Sequence, residues 1–211
     1  MIKGQYIQYG CGFCAPDSWR NFDASPTLRF ERTPLLGRLY TKNSARFPDN
    51  VEYGDIVKGL PVRDNSCKAV YCSHVLEHLC LEDFRRALKN TYRMLEPGNT
   101  FRLVVPDLAQ MIKNYTEDHS KQAAITFMQA SGLVREQRKR GFKGLLFGWL
   151  GNSVHRWMWD YSSLANELEE AGFAAIRRAE FGDGSDPMFK EVEDQGRWER
   201  CLGVECQRGS V

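Results

Sequence analysis

The residues best placed for chemistry begin with two glycines and a carboxylate. Tyr9-Gly10-Cys11-Gly12 ends the first apolar run, and Asn21-Phe22-Asp23 ends the second. Glycine lets a backbone approach a ligand closely, and a carboxylate at the end of the next strand accepts hydrogen bonds from ribose hydroxyls. A lone G-x-G is more often an ordinary tight turn, but the pairing with Asp23 outlines a nucleoside site. Gly54-Asp55, Ser73-His74 and Val105-Pro106-Asp107 follow the third, fourth and fifth apolar runs. In open parallel sheets, ligands bind at the carboxyl ends of strands where strand order reverses, and these features fall at such ends.

Other chemistries are written in the same residues. His74-Val75-Leu76-Glu77-His78 matches the H-x-x-E-H pattern of zinc peptidases, in which two histidines hold the metal and the glutamate acts as base. The run directly follows a strand, however, and no third ligand stands on a matching helix. The plainer reading turns His74 toward a ligand pocket and leaves Glu77 and His78 at a helix start, so no metal site is expected. Cys11-Gly12-Phe13-Cys14 has thiol-oxidoreductase spacing, but Pro16 and the next strand follow too soon for the pair to open a long helix. Structural cysteines are the expectation.

The cluster His155-Arg156-Trp157-Met158-Trp159-Asp160 reads mainly as packing, with Asp160 as a helix cap and His155 as the residue that reaches substrate. Arg135, Arg138, Lys139, Arg140 and Lys143 read first as a solvated helix face. Their functional reading is an anionic substrate, or peripheral membrane contact through 135–150, because Phe142, Leu145, Leu146, Phe147 and Trp149 follow.

Short apolar runs alternate with amphipathic ones, the pattern of parallel strands joined by helical crossovers. Strands are expected at 5–9, 20–23, 51–53, 69–72, 100–105, 174–181 and 201–206. A helix is expected over 81–95, where Phe84, Leu88, Tyr92 and Leu95 recur at helical spacing and Glu82 and Asp83 occupy the first turn; Pro97-Gly98-Asn99 should stop it. A second helix spans 161–171, with Leu164 and Leu168 on one face and Gly172 after it. Residues 112–160 carry no strand signal and read as an inserted helical lid or substrate lobe within one domain, 1–211.

With 211 residues and 42% hydrophobic content the chain can bury one sizeable core. A net charge of +2, from 29 basic and 27 acidic side chains, gives no ground for a nucleic-acid partner. Seven cysteines with no apolar leader ahead of Cys11 point to a reducing cytoplasm, and no run approaches the ~20 apolar residues of a transmembrane helix.

In these motifs the chain resembles the class I S-adenosylmethionine-dependent methyltransferases, in their small bacterial branch. The resemblance rests on Tyr9 to Gly12, Trp19 to Asp23, Gly54-Asp55-Ile56, His74 to Leu79, Leu95-Glu96-Pro97-Gly98, Val105-Pro106-Asp107, Trp159-Asp160 and Glu170-Ala171-Gly172-Phe173. It implies a Rossmann-like α/β sandwich whose seven-stranded sheet runs 3-2-1-4-5-7-6 with the last strand antiparallel. It implies S-adenosyl-L-methionine as cofactor, with Gly10 and Gly12 against its methionine part, Asp23 on the ribose, Asp55 and Ile56 at the adenine, and Ser73 and His74 at the methionine end. His74 and His155 are the candidate bases for a hydroxyl acceptor, on a small molecule or saccharide. Two departures stand out: Cys14 or Ala15 replaces the family's third glycine, and little room remains for a helix before Trp19. A non-catalytic cofactor- or nucleotide-binding module on the same fold is the main alternative.

Overall fold

A computed structural model describes residues 4–34, 45–134 and 154–209. Seven strands make one sheet: β1 (Gln5–Tyr9), β2 (Arg20–Asp23), β3 (Val51–Tyr53), β4 (Cys67–Ser73), β5 (Leu95–Pro106), β6 (Phe173–Ala179) and β7 (Cys201–Arg208). Their order is β3-β2-β1-β4-β5-β7-β6, as the resemblance implies. Neighbours from β3 through to β5 pair in parallel, and β7 runs antiparallel to both β5 and β6. Strand order therefore reverses between β1 and β4, which opens a crevice at their carboxyl ends.

Among the described residues the helices are α1 (Pro26–Glu31), α2 (Leu81–Met94), α3 (Leu108–Glu117), α4 (Ala123–Ser131), α5 (Tyr161–Glu170) and α6 (Gln195–Trp198). Helix α2 buries Phe84, Ala87, Leu88, Thr91 and Met94, the stripe expected of helical spacing. It does not run on to Pro97. Leu95 is already paired in the sheet opposite Cys67, while Ala69 pairs with Thr100. The Pro97-Gly98-Asn99 stretch is thus a bulge within β5 rather than a helix stop, and Gly98 supplies the left-handed φ of 78° that the bulge needs. Asp160 caps α5 by accepting from the Ser163 amide at 2.8 Å, as its sequence position suggests.

Alternation along the strands sorts two cores onto the two faces of the sheet. Ile7, Tyr9, Val70, Cys72, Phe101, Leu103, Val105, Leu202, Val204 and Cys206 face α2 and α5. On the other face Ala69, Tyr71 and Val104 meet Trp19, Phe189, Val192 and Trp198, so this side is covered largely by the short segment around the 3-10 turn Pro187–Glu191 and α6.

That second face holds a fully buried cation. Arg102, in the middle of β5, is 0% exposed. Its guanidinium meets Glu193 at 2.5 Å, Asp183 at 2.9 Å and Glu205 at 3.0 Å, donates to the Glu180 carbonyl, and lies 4.6 Å from the Trp198 ring centroid. Arg177 adds a second bond to Glu205 at 2.8 Å. A buried charge left without its partner is costly, so Arg102→Met should destabilise the fold by about 3–5 kcal/mol in urea unfolding. Adding Glu193→Gln and Glu205→Gln to it should recover part of that loss. A single-variant loss within experimental error of zero would show that the network contributes nothing.

Candidate functional site

The crevice is lined first by the turn after β1. Gly10 has φ 69° and Gly12 φ 57°, both left-handed, where a side chain is strained. They need glycine for different reasons. A Cβ on Gly10 would stand 2.0 Å from Val75 Cγ2, so the first glycine lets β1 pass the residues that follow β4. Around Gly12 nothing lies within 4 Å of the Cβ position, so the second borders open space.

Asp23, at the end of β2, is tied to that turn. Its Oδ2 accepts from the Gly12 amide at 3.0 Å and its Oδ1 from the Ser25 amide at 2.7 Å. Two main-chain donors fix the carboxylate and leave acceptor capacity on each oxygen. After β3, Asp55 Oδ1 caps its own turn through the Val57 amide at 3.0 Å, and Oδ2 stands 3.6 Å from Lys58 Nζ. Ile56 is 4% exposed and belongs to the main core cluster, so its side chain is not open to a ligand. Asp107 sits at the end of β5 as the cap of α3, accepting from the Gln110 amide at 3.2 Å.

Ser73 and His74 close the crevice at the end of β4, and they are held from the far end of the chain. The Ser73 carbonyl accepts from the Arg197 guanidinium, and His74 Nε2 lies 2.9 Å from the Arg197 carbonyl. His74 adopts a left-handed φ of 54°, uncommon for a residue with a side chain. Its Nδ1 is 3.2 Å from Glu77 Oε1, and Cys201 Sγ is 3.7 Å from Nε2. The Cys201 thiol, the Glu77 carboxylate and the Arg197 carbonyl outweigh burial and raise the imidazole to about 10. A raised pKa favours the protonated ring, which disfavours the general-base role expected of His74.

Glu77 and His78 belong to a 3-10 turn, Leu76–His78, not to the start of α2. His74, with its ring turned to Arg197, does not converge with His78 on one helix face, so the H-x-x-E-H peptidase arrangement is not formed. The ring of His78 instead meets His155, edge to face, with centroids 5.0 Å apart. His78 Nδ1 is 3.2 Å from the Val154 carbonyl and His155 Nδ1 is 2.7 Å from the Ser131 carbonyl. The chain next to His155 is joined to the turn after β4, since the Glu77 carbonyl accepts from the amides of Arg156 at 2.7 Å and Trp157 at 3.1 Å.

All seven cysteines are free. Burial, with the Asp23 charge nearby, pushes the Cys11 thiol up to about 12, and burial raises Cys14 too. A thiol oxidoreductase needs a depressed pKa, so these upward shifts run against the C-x-x-C reading. Residues 135–153, with the basic cluster and the 135–150 membrane reading, lie outside the described residues. No helix among the described residues is long and apolar enough to cross a membrane.

Arg197 and Cys201 were not legible as site residues, because they come from a segment with no motif and reach β4 only through the fold. The approach of His155 to Glu77 and His78 carries no spacing signal either.

Comparison with known proteins agrees with this architecture. Residues 33–103, about a third of the 211-residue chain, match the family model described as a methyltransferase domain. No curated protein sequence matches the chain. Among solved structures, a SAM-dependent methyltransferase from Methanosarcina mazei is similar over 100% of this chain and 95% of its own, at 16% identity and a TM-score of 0.53. A structure of the Haloferax volcanii Trm112 methyltransferase activator in complex with a putative methyltransferase is similar over 100% of this chain and 85% of that chain, at 16% identity and a TM-score of 0.51. Residues 33–103 thus resemble a methyltransferase domain, and the chain as a whole has the fold of solved SAM-dependent methyltransferases.

Proposed function

We propose that the protein binds S-adenosylmethionine over Gly10 and Gly12 and transfers its methyl group to a hydroxyl of a small molecule or saccharide. The observation that carries the reading is the Asp23 carboxylate, fixed by the Gly12 and Ser25 amides beside open space at the β1–β4 reversal. A ribose diol needs a rigid acceptor there, and a carboxylate with spare lone pairs at the end of the second strand is one. Asp55 stands at the next strand end for the adenine side, through its carboxylate, and the Ile56 contribution comes through the backbone because its side chain is in the core.

The bound cofactor supplies a methyl group on a sulfonium leaving group. The chain's own task is then alignment and exclusion of water, worth up to ~7–11 kcal/mol. The Ser73–His74 turn, braced by Arg197, forms the wall at the methionine end. The inserted segment 112–160 serves as the lid, with His155 as the residue that meets the acceptor. Its Nδ1 donates to the Ser131 carbonyl, which leaves Nε2 with its lone pair.

A binding module without turnover is favoured by one observation. Between Gly10 and Trp19 the structure has only turns, so no helix follows β1 to wall the pocket. Calorimetry and a methyl-transfer assay separate the two readings. S-adenosylmethionine should bind the wild type, and Asp23→Ala should weaken it by about 10- to 100-fold, roughly 1.4–2.7 kcal/mol. Absence of binding by the wild type at any practical concentration would overturn the site. Radiolabel from the cofactor's methyl group should appear in alkali-stable ethers when hydroxylated small molecules and saccharides are supplied. Label in no acceptor, with binding intact, supports the module instead.

The two glycines should also differ. Gly12→Ala should cost only about 1–2 kcal/mol of stability, from backbone strain alone, yet impair cofactor binding. Gly10→Ala should unfold at clearly lower denaturant, because its Cβ also collides with Val75. Equal stability of the two variants would refute the distinction.

A further inference from the structure

Among the described residues, Glu77, His78 and His155 bring one ligand atom each to within 4.8 Å of one another. Glu77 is 0% exposed, and neither of its carboxylate oxygens has a hydrogen-bond partner. A carboxylate buried without a donor is a costly arrangement unless a cation stands beside it. His74 Nδ1 lies 3.2 Å from Oε1. Oε2 has no counterpart to it among the described contacts, and His78 Nε2 lies 4.0 Å from Oε1.

The two imidazoles are already set as ligands. A carbonyl can only accept, so the Val154 and Ser131 carbonyls require N–H on Nδ1 of His78 and His155. Neutral rings in that tautomer present Nε2 lone pairs. A ring whose second nitrogen is held by a backbone carbonyl is the usual outer shell of a metal-binding histidine, and ligating carboxylates are likewise braced, as Glu77 is by His74. The main chain fixes the approach as well: the Glu77 carbonyl accepts from the Arg156 and Trp157 amides, so the turn after β4 and the segment after residue 153 are joined at this point.

From this geometry we infer a binding site for a divalent transition-metal ion of the zinc type, with a Glu77 oxygen and Nε2 of His78 and His155 as ligands. Two nitrogens and a carboxylate suit zinc and leave a coordination position open. A tetrahedral ion at about 2.0–2.2 Å from each donor holds its donors roughly 3.4 Å apart, so binding draws the three inward by about 1 Å. The site departs from the sequence expectation of no metal, which considered His74 and His78 and not the convergence of His155. It does not depend on cofactor binding, but it is an alternative to the acceptor role of His155, because one Nε2 lone pair cannot both hold a metal and take a proton. The neighbouring line of Cys201, His74 and Glu77 is less suited to nucleophilic catalysis, because His74 Nε2 is engaged at 2.9 Å by the Arg197 carbonyl.

The test is titration of the full chain, stripped of metal by a chelator, with Zn2+ alone against a chromophoric competitor. One ion per chain should bind, and His155→Ala and His78→Ala should each weaken it by about tenfold or more. Circular dichroism identifies any variant that fails to fold. Should His78→Ala do so, His155→Ala decides, with Glu77→Gln as the variant closest in shape. Co2+ in place of Zn2+ should give visible d–d bands without the near-ultraviolet band of a cobalt thiolate, since no cysteine is a ligand. Failure of the wild type to bind Zn2+ at micromolar concentration, binding indifferent to the folded histidine variants, or a thiolate band would each overturn the site. Because the readout is the metal alone, a failure of S-adenosylmethionine binding leaves this result separate.

Discussion

The buried guanidinium of Arg102 is the constraint on which the rest of this molecule turns. A parallel sheet needs cover on both faces, and here one face has two long helices while the other has mostly short turns and loops. Short segments contribute little helix of their own and must be held by tertiary contacts. Arg102 supplies these by joining Glu193, Asp183 and Glu205 and stacking near Trp198 from the centre of β5. The segment it holds carries Arg197, which in turn braces Ser73 and His74 at the crevice. A charge in the core thus determines the position of a wall in the site.

The same cover explains how the chain manages without a helix after β1. Trp19 packs with Tyr6 and Phe189, its indole N–H donates to the Met188 carbonyl at 3.2 Å, and Cys14 approaches the Glu191 carbonyl. The turn that carries Gly10 and Gly12 is therefore braced from the segment after β6 and from Asp23, where a helix would otherwise brace it. The consequence is a glycine turn fixed by long-range contacts, and hence sensitive to changes far away in sequence.

Local signals were legible and long-range ones were not. Strands β1, β2 and β3 have the bounds their apolar runs suggested, and α2 and α5 follow from the spacing of Phe84, Leu88, Leu164 and Leu168, because burial of one face is written in the period of the sequence. Pro97-Gly98-Asn99 misled because turn residues serve a bulge as well as a helix stop, and only the pairing of Leu95 with Cys67 decides between them. Helix α1 lacked an apolar stripe, burying only Leu28, and depends on Ser25 as its cap. In the site, Gly10, Gly12 and Asp23 converge as their order implied. The surroundings of His74 followed only in part from the sequence: Glu77 is a near neighbour, but Cys201 and Arg197 lie more than a hundred residues away.

The segment after residue 153 shows why such convergence is possible at all. Trp159 bridges to Asp107 in parallel register, and its carbonyl accepts from the Leu108 amide at 2.9 Å. Two and three residues earlier, the amides of Trp157 and Arg156 donate to the Glu77 carbonyl. These main-chain bonds bring the chain back across the ends of β5 and β4 in turn, and Phe84 packs beneath at 4.3 Å from the Trp159 ring centroid. His155 is thus brought beside His78 by main-chain bonds on both sides of it, and the histidine pair and the buried carboxylate are joined through them to the ends of β4 and β5.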